Sequence, residues 1–567
     1  MKMTKKAITL SLGLAVMGSA SFAQSLEDAK KALDAEQYQK ATSMLKGLVK
    51  SQASKGDNYY NLGEVYLETD YLDSARAVFT QGVTADPKNP LNYIGLGEAD
   101  LMSNNAASAK TNFNKALEVS KKNDYIPQLY IGKAFLSVDK PDFNSALPYL
   151  QKADELDKND KDAETFLALG DFYAYQRKNS EALQNYMRAL NINPNILRAK
   201  VQIGRMYKES RAFPEAETAL KEVIAQDPNY GPAYRELSEL YNQWSFGDPN
   251  GQAKSAAAIE NYQKYLDLTD KSFDSRIRYA QILFYAKDYA KLEAETSALA
   301  AMAENSPKAL VVSRLRGYSA YENKNYPQAL QYMNDFFAKV KDTSRIVADD
   351  YLYLGQAQMQ QKQDSLALIN ITKAVEMDST KAEALAAMAK TFYDAKNYPK
   401  AVATYDVVNR LNPSGVGSLY NYYYHGLAAY FSYAADYTAK KNPSKDLLVK
   451  ADSSFAKLVR LSPTTYDGYL WRARVNYFKD SETAPQGIYV PYYQQYLDSA
   501  EAHVDKQTPA TKKNMVEAYN SIAGFASTTD KEKARTYWNK AVALDPQNAT
   551  ALAGIKSLSA PAKTGKK

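Results

Sequence analysis

The sequence predicts an all-α solenoid built from stacked pairs of short helices. Apolar residues recur at spacings of three and four, short polar turns interrupt them at near-constant intervals, and small and aromatic residues return in the same order along most of the 567-residue chain. A hydrophobic content of 45% and a charged content of 24% are normal for a folded globular chain. Sequence periods of this kind are typical of arrays in which each repeat packs only against its neighbours.

The first 23 residues predict a secretory signal peptide. Three lysines in MKMTKK precede an apolar run from Ala7 to Gly18, and Ser21 and Ala23 are the small residues that a signal peptidase needs. This run is shorter than the about 20 residues that cross a bilayer as a helix. We therefore expect cleavage near Ala23 and an exported chain beginning at Gln24, located in the periplasm or held at the outer membrane by a partner.

Composition excludes several classes of site. The chain has no cysteine, so disulfides, thiol catalysis, thiolate metal sites and a lipid-anchored cysteine are ruled out, and no later stretch is apolar enough to predict a membrane span. Loss of the three signal-peptide lysines lowers the formal charge from +7 to +4, and the short tail of residues 560–567, expected to be disordered and basic, carries most of that remainder. Acidic and basic residues alternate elsewhere, which is unlike the basic stripe of a nucleic-acid-binding protein.

The clearest repeat runs from residue 163 to 194 and predicts two helices joined by QRKNS. Asn179 or Ser180 is placed to cap the second helix, and Pro194 ends it because proline lacks the N–H that a continuing helix must donate. Short side chains at Gly170 and Ala182 let the two helices approach closely. The pattern residues are Phe166, Leu169, Gly170, Tyr173, Ala182, Tyr186, Ala189 and Pro194.

This unit resembles the tetratricopeptide repeat (TPR), whose 34-residue pattern is W-x2-L-G-x2-Y, then A-x3-F, then P. Phe stands here for Trp, and Tyr for the later Phe. Matching positions recur in about 13 or 14 units between residues 25 and 547, some of them degenerate. Clear copies carry Tyr59, Leu62, Gly63, Tyr66, Ala75, Phe79 and Pro87, and then Ile203, Gly204, Tyr207, Ala216, Leu220 and Pro228. The resemblance implies a right-handed superhelix of helix pairs with a long concave groove.

Irregularities in the repeat suggest a division of the mature chain. We predict an N-terminal array at residues 24–270, a central array at 271–413, an irregular tyrosine-rich region at 414–513, and a last repeat with its capping helix at 514–559. An enlarged turn within residues 242–255 interrupts the first array. The tyrosine-rich region either docks a partner or fills the core between longer helices, and the sequence leaves both open.

Residues suited to chemistry are scarce. The chain has only two histidines, His425 and His503, and it lacks a phosphate-binding loop and a nucleophile elbow. We therefore predict no catalytic, cofactor-binding or metal-binding residues, and we expect a protein that is not an enzyme.

The resemblance implies that the first helix of each unit lines the groove, through the residue after the small position and the residue four before it. We expect a protein partner from the cell envelope to bind there. The alternative is a glycan or peptidoglycan bound by the tyrosines near 420–437 and 489–496; solvation alone is the other explanation for the charged positions. The candidate groove residues are Tyr60, Glu64, Glu98, Asp171, Arg205, Arg235, Glu239, Gln356, Lys390, Tyr423 and Tyr430.

Overall fold

The computed structural model describes residues 25–158, 161–303, 308–503 and 507–559. Within these ranges the chain forms 29 α-helices and two short 3₁₀ turns, and no strand. The helices follow one another as 14 pairs and a final helix, which confirms the predicted all-α TPR-type solenoid. The predicted signal peptide and the basic tail lie outside the described residues.

The first eight hairpins contain 16 helices. They are α1 Leu26–Asp34, α2 Tyr38–Ser51, α3 Gly56–Glu68, α4 Leu72–Ala85, α5 Pro90–Met102, α6 Ala106–Val119, α7 Ile126–Leu136, α8 Phe143–Leu156, α9 Ala163–Tyr175, α10 Asn179–Ile192, α11 Leu197–Glu209, α12 Phe213–Gln226, α13 Gly231–Trp244, α14 Gly251–Leu268, α15 Phe273–Tyr285 and α16 Tyr289–Met302.

The later helices begin with α17, which contains the division between two compact units at Leu315 and Arg316. The predicted boundaries at 270, 413 and 513 stay predictions. The helices are α17 Ala309–Glu322, α18 Tyr326–Lys339, α19 Ala348–Gln360, α20 Asp364–Met377, α21 Ala382–Asp394, α22 Tyr398–Leu411, α23 Ser418–Thr438, α24 Asp446–Leu461, α25 Asp467–Lys479, α26 Val490–Ala502, α27 Pro509–Ala526, α28 Lys531–Leu544 and α29 Ala549–Ser559, with 3₁₀ turns at Thr343–Arg345 and Ser379–Lys381.

Turns inside the hairpins are closed mainly by the backbone. Between α9 and α10, Arg177 adopts a left-handed φ of 58°, and the backbone N–H of Lys178 donates to the Tyr173 carbonyl at 3.0 Å. The N-cap position is Lys178, without a side-chain cap, so the predicted capping role of Asn179 or Ser180 is wrong. The left-handed residue turns the chain so tightly that the second helix begins before either side chain can serve as a cap. The same conformation recurs at Glu36, Asp70, Asn104, Arg211, Lys287, Lys324, Lys362, Lys396 and Lys440.

Many hairpin cores pair a glycine on the first helix with a large residue on the second. A Cβ atom added at Gly170 would lie 2.4 Å from the Tyr186 ring, which is fully buried. Gly63 meets Phe79 and Gly97 meets Phe113 in the same way. The glycines therefore set the helix separation, and the aromatic rings fill the remaining space.

Candidate functional site

The first helices of the first unit are linked by ion pairs that run from hairpin to hairpin. On α9, Glu164 contacts Arg198 of α11 at 2.7 Å and Lys133 of α7 at 3.5 Å. Glu164 and Arg198 occupy equivalent positions 34 residues apart in the repeat. The charged side chains here therefore contact one another and bridge three successive hairpins.

The electrostatics of this cluster favour the ionised forms. Burial by itself would raise the pKa of Glu164, but Arg198 and Lys133 outweigh burial and lower the pKa to about 2. Glu164 therefore carries its charge at neutral pH, and the two cations around it are matched by a carboxylate that is part of the fold.

Three predicted groove residues also make internal ion pairs. Arg205 pairs with Glu209 at 2.9 Å on the same helix, and Arg235 pairs with Glu36 in the turn between α1 and α2. Glu239 of α13 accepts from Arg278 Nε of α15 at 2.5 Å. These contacts leave less of the charge free for a partner than the sequence pattern suggests.

A further pair was not among the sequence candidates. Lys208 Nζ lies 2.6 Å from a Glu236 carboxylate oxygen, and their side chains are only 13% and 9% exposed. Burial opposes ionisation of Glu236, but Lys208 and Arg235 outweigh it and lower its pKa. A buried pair of this kind ties α11 to α13 and is unavailable to a ligand.

Glu64 and Glu98 differ from the ion-paired residues above because each lies close to another carboxylate. Burial raises the pKa of Glu64, and the nearby Glu98 raises it further. One Glu64 carboxylate oxygen is enclosed without a hydrogen-bond partner among the described residues, whereas Glu98 accepts from the Ser137 hydroxyl at 2.5 Å. Tyr60, also predicted for the groove, is 4% exposed and packs edge-on against Tyr130. The sequence predicts that these three residues face the groove, and the structure largely encloses them.

Asp171 is held by its own hairpin. Its carboxylate accepts from the Tyr186 hydroxyl at 2.8 Å, and burial raises its pKa. Asp171 therefore contacts Tyr186, whose ring also fills the space beside Gly170.

Several of these contacts follow a signal that was present in the sequence. Lys133 comes directly after Gly132, which is the register that selected Glu64, Glu98 and Asp171. The repeat around Lys133 is degenerate, and the sequence pattern therefore does not select Lys133. Glu164 and Arg198 lie one helical turn earlier on their helices, outside the two positions per repeat that the pattern predicts to face the groove.

In the second unit the predicted groove residues include charged and aromatic types. Gln356 is partly buried on α19, and Lys390 of α21 pairs with Asp394 at 2.6 Å while lying 4.7 Å from the centre of the Tyr424 ring. Tyr423 contacts Tyr424 and Phe455 edge-on. These side chains support the packing of α21, α23 and α24.

Tyr430 lines an open cavity of about 520 Å³. Its walls come mainly from α23, α25 and α27, which are the first helices of three successive hairpins. The Tyr430 ring lies edge-on to Trp471 at 5.4 Å and to Phe478 at 5.8 Å, and Tyr477 at the cavity is 56% exposed. The lining residues are Tyr430, Phe431, Trp471, Arg474, Tyr477, Phe478, Tyr493, Glu517 and Ser521.

A fixed polar group borders this aromatic wall. Arg474 makes two hydrogen bonds to Glu517, of 2.9 and 2.7 Å, and stacks on Trp471 at 4.6 Å. The Tyr493 hydroxyl donates to Glu517 at 2.9 Å. Burial acts to raise the pKa of Glu517, but Arg474 and Tyr493 outweigh it and lower the pKa. The cavity therefore offers aromatic surface beside a preorganised ion pair.

Comparison with known proteins identifies the repeat. A family model described as tetratricopeptide repeat matches residues 56–89 and 163–196. The crystal structure of the C-terminal part of a TPR repeat-containing protein from Cytophaga hutchinsonii is 31% identical, covers 49% of this chain and 99% of that chain, and has a TM-score of 0.32. This chain is a tetratricopeptide repeat protein.

Two more distant similarities add less. A TPR protein from Parabacteroides merdae is 19% identical, covering 46% of this chain and 96% of that chain, with a TM-score of 0.33. The human protein O-mannosyl-transferase TMTC3 is 24% identical over 332 residues, covering 54% of this chain and 34% of the relative. This TPR protein therefore spans about a third of the length of the curated relative it matches.

The tyrosine-rich region of this TPR protein contributes chiefly to the core. Five tyrosines within 420–437 and 489–496 are less than 10% exposed, while Tyr420 and Tyr437 are 72% and 44% exposed. Nine of the eleven tyrosines in these two segments are buried or partly buried, which favours the core-filling alternative, and Tyr430 lines the cavity. The five buried residues are Tyr422, Tyr433, Tyr489, Tyr493 and Tyr496.

His425 of this TPR protein lies in a polar contact with a serine and an aspartate. Its Nδ1 is 2.9 Å from the Ser454 hydroxyl and 3.1 Å from the Asn409 amide, and its Nε2 is 3.2 Å from Asp406. His425 and Ser454 are 6% and 5% exposed, so neighbouring helices enclose the hydroxyl and keep it from a substrate. This contact connects α22, α23 and α24.

The described ranges contain no group of three or more His, Cys, Asp or Glu side chains arranged to hold a metal ion. None of the helices described is both long enough and apolar enough to cross a membrane.

Proposed function

We propose that this TPR protein is an exported, periplasmic scaffold that binds other cell-envelope proteins through the first helices of its second unit. TPR arrays bind protein partners, and the fold here belongs to that family. The signal-like sequence of residues 1–23 supports export. Envelope proteins are the partners that an exported scaffold meets.

The observation that carries the proposal is the cavity at Tyr430. It combines accessible aromatic rings with the fixed Arg474–Glu517 pair, which is the composition of a site that takes an apolar side chain and orients the polar groups beside it. Tyrosine and tryptophan give large contact area with little loss of side-chain freedom. In the first unit, by contrast, three of the six charged candidates are already in ion pairs: Arg205 with Glu209, Arg235 with Glu36, and Glu239 with Arg278.

We infer that the role of the scaffold is binding and not bond-making. The buried state of Ser454 and His425 and the internal pairing of Glu164 support this view. The mannosyl-transferase activity in the name of the human relative belongs to that protein, two thirds of which has no counterpart here. Assay of the purified chain for mannosyl transfer is the direct check, and turnover would contradict the proposal.

A glycan is the second candidate ligand, favoured by one observation. The cavity sets open ring surface next to a carboxylate and a guanidinium, and sugar hydroxyls hydrogen-bond to such groups while their C–H faces lie on aromatic rings. Only two tyrosines of these segments, Tyr420 and Tyr437, are exposed outside the cavity, which weighs against a broad glycan-binding surface.

The test is a photo-crosslinking amino acid placed at Tyr477 in intact cells. We expect a protein adduct at this position. An equal adduct yield from the same amino acid at Tyr420, which is exposed but does not line the cavity, would contradict the site. An adduct that resists protease and is released by a cell-wall hydrolase would instead support the glycan, and failure to form any adduct would contradict both ligands.

Export has its own measurement. Cell fractionation followed by N-terminal sequencing should give periplasmic protein beginning at Gln24. Cytoplasmic protein that retains its first residues would overturn the proposed location.

A further inference from the structure

The first turn of the array closes on itself. The turn between α1 and α2 contacts α13 and α14, which lie six hairpins further along the chain. Ala35 in this turn is 7% exposed and belongs to the same apolar cluster as Ala233 and Tyr265. Its carbonyl oxygen approaches to 3.4 Å of the position that a Cβ atom at Gly231 would take.

Polar contacts across more than 190 residues of sequence hold this closure. The Tyr230 hydroxyl donates to Asp34 at 3.0 Å, and the Tyr265 hydroxyl donates to Glu36 at 2.7 Å. Arg235 also pairs with Glu36, whose side chain is 18% exposed. Three side chains, from α13, its N-cap residue and α14, thus converge on an acidic residue at the end of α1 and another in the turn after it.

The closure also caps a helix. The N-cap residue of α2, Gln37, makes no side-chain cap, and the backbone N–H of Gln39 donates instead to the Asp270 carboxylate at 2.6 Å. One of the first-turn N–H groups that a helix leaves unpaired is therefore satisfied by a residue 231 positions away. Opening the closure would expose this N–H group.

Charged side chains from several first helices interact electrostatically with the turn and with one another. Asp34 interacts electrostatically with Arg198, Glu164 and Lys133, although these residues belong to α1, α11, α9 and α7. Glu68 at the end of α3 is exposed and interacts with Glu36, Lys133 and Arg198. Charged side chains from α1, α3, α7, α9 and α11 are thus close enough to influence one another.

We propose that the turn Asp34–Gln39 is a latch that closes the first seven hairpins into a ring, and that its opening exposes the charged inner wall to large molecules. Glu36 is the central latch residue because it joins Arg235 and Tyr265 from one left-handed position, with φ of 59°. This latch concerns the first unit alone and goes beyond the proposed role of the cavity in the second.

The test uses the absence of cysteine from the chain. Glu68→Cys puts a single thiol on the inner wall, and Glu118→Cys puts one on α6, where the side chain is 68% exposed. Each thiol is treated with iodoacetamide, which is small, and with a polyethylene glycol maleimide of several kilodaltons. The full-length chain is used throughout.

Breaking the latch should speed only the large reagent on the inner wall. In Glu36→Gly, glycine keeps the left-handed turn but removes both side-chain contacts, and we expect reaction of the inner thiol with the large maleimide to rise about tenfold or more. Asn104→Gly is the matched control, since Asn104 holds the same conformation with φ of 58° in the turn after α5. Asn104→Gly should not change the rate at which the inner thiol reacts with either reagent.

A second variant tests whether the effect of Glu36→Gly comes only from local unfolding of the turn. Arg235→Gln weakens the latch from the other side without touching the turn, and it should act in the same direction. Deuterium uptake at residues 36–40 should rise in both variants, because the Gln39 N–H would lose its partner. Equal reactivity of the inner and outer thiols with the large reagent in the unaltered background would overturn the latch, as would unchanged rates in both variants.

Discussion

Gly355→Ala tests whether helix separation in a hairpin is set by its small residue. A Cβ atom there would lie 2.6 Å from Ile371 Cγ1, 3.0 Å from the Ile371 backbone nitrogen and 3.1 Å from the Ala367 carbonyl oxygen. Two of these three atoms belong to the backbone of α20, so rotation of a side chain cannot relieve the contact, and α19 must move away. Overpacking of this kind costs about 1–3 kcal/mol.

The same substitution also brings a gain that must be subtracted. Alanine is favoured over glycine inside a helix by about 0.5–1 kcal/mol, so the net loss in Gly355→Ala should be about 1–2 kcal/mol. For a domain of this size that lowers the unfolding midpoint by about 3–6 °C. Differential scanning calorimetry of the full chain measures it.

Gly524→Ala is the matched control in the same unit. Gly524 lies inside α27, and a Cβ atom there would meet nothing within 4 Å. Only the preference of alanine over glycine in a helix then applies, and the thermal unfolding midpoint should rise by about 1–4 °C. If both variants stabilise the protein, the explanation of the small residues by close helix approach is refuted.

Two further predictions concern the charges of the first unit. Glu164→Gln should remove a stabilisation that is present above the unfolded pKa of about 4.3 and is lost as pH falls towards the folded pKa of about 2. Because the side chain is 37% exposed, we expect the free energy of unfolding to fall by only about 0.5–1 kcal/mol, measured in acid-unfolding titrations. An unchanged acid transition would contradict this prediction. Glu64→Gln should act in the opposite sense: its raised folded pKa makes ionisation costly above the unfolded pKa, so the amide should stabilise the unit by about 0.5–1 kcal/mol in urea unfolding at neutral pH and less near pH 5. Destabilisation of Glu64→Gln at neutral pH would show that the carboxylate is needed in its charged form.

Much of the fold could be predicted because the repeat encodes it locally. Gly170 and Tyr186 are 16 positions apart, and each hairpin needs such a pair to bring its helices together. The second helix, α10, ends at Ile192, and Pro194 follows two residues later. The capping role of Asn179 or Ser180 failed because backbone geometry at Arg177 closes the turn.

The candidate site was harder to predict because its contacts join distant repeats. The register rule found Glu239 and Arg235 correctly as first-helix residues, but it could not show that Arg278 and Glu36 neutralise them. Glu36 lies 199 residues before Arg235, and sequence periodicity carries no information about how a superhelix meets its own start. The aromatic cavity was not predicted because Tyr430 was a candidate residue and Trp471, which lines the cavity with it, was not.

The central claim is that the second unit binds the partner while the charges of the first unit chiefly stabilise the fold. Its most direct measurement is the yield of photo-crosslinked protein at Tyr477 in intact cells, compared in Trp471→Ala, Arg474→Gln and Glu164→Gln backgrounds that retain the helical circular-dichroism signal. The account predicts that the adduct is lost in the first two backgrounds and unchanged in the third. An adduct that survives Trp471→Ala and Arg474→Gln but disappears in Glu164→Gln would contradict it.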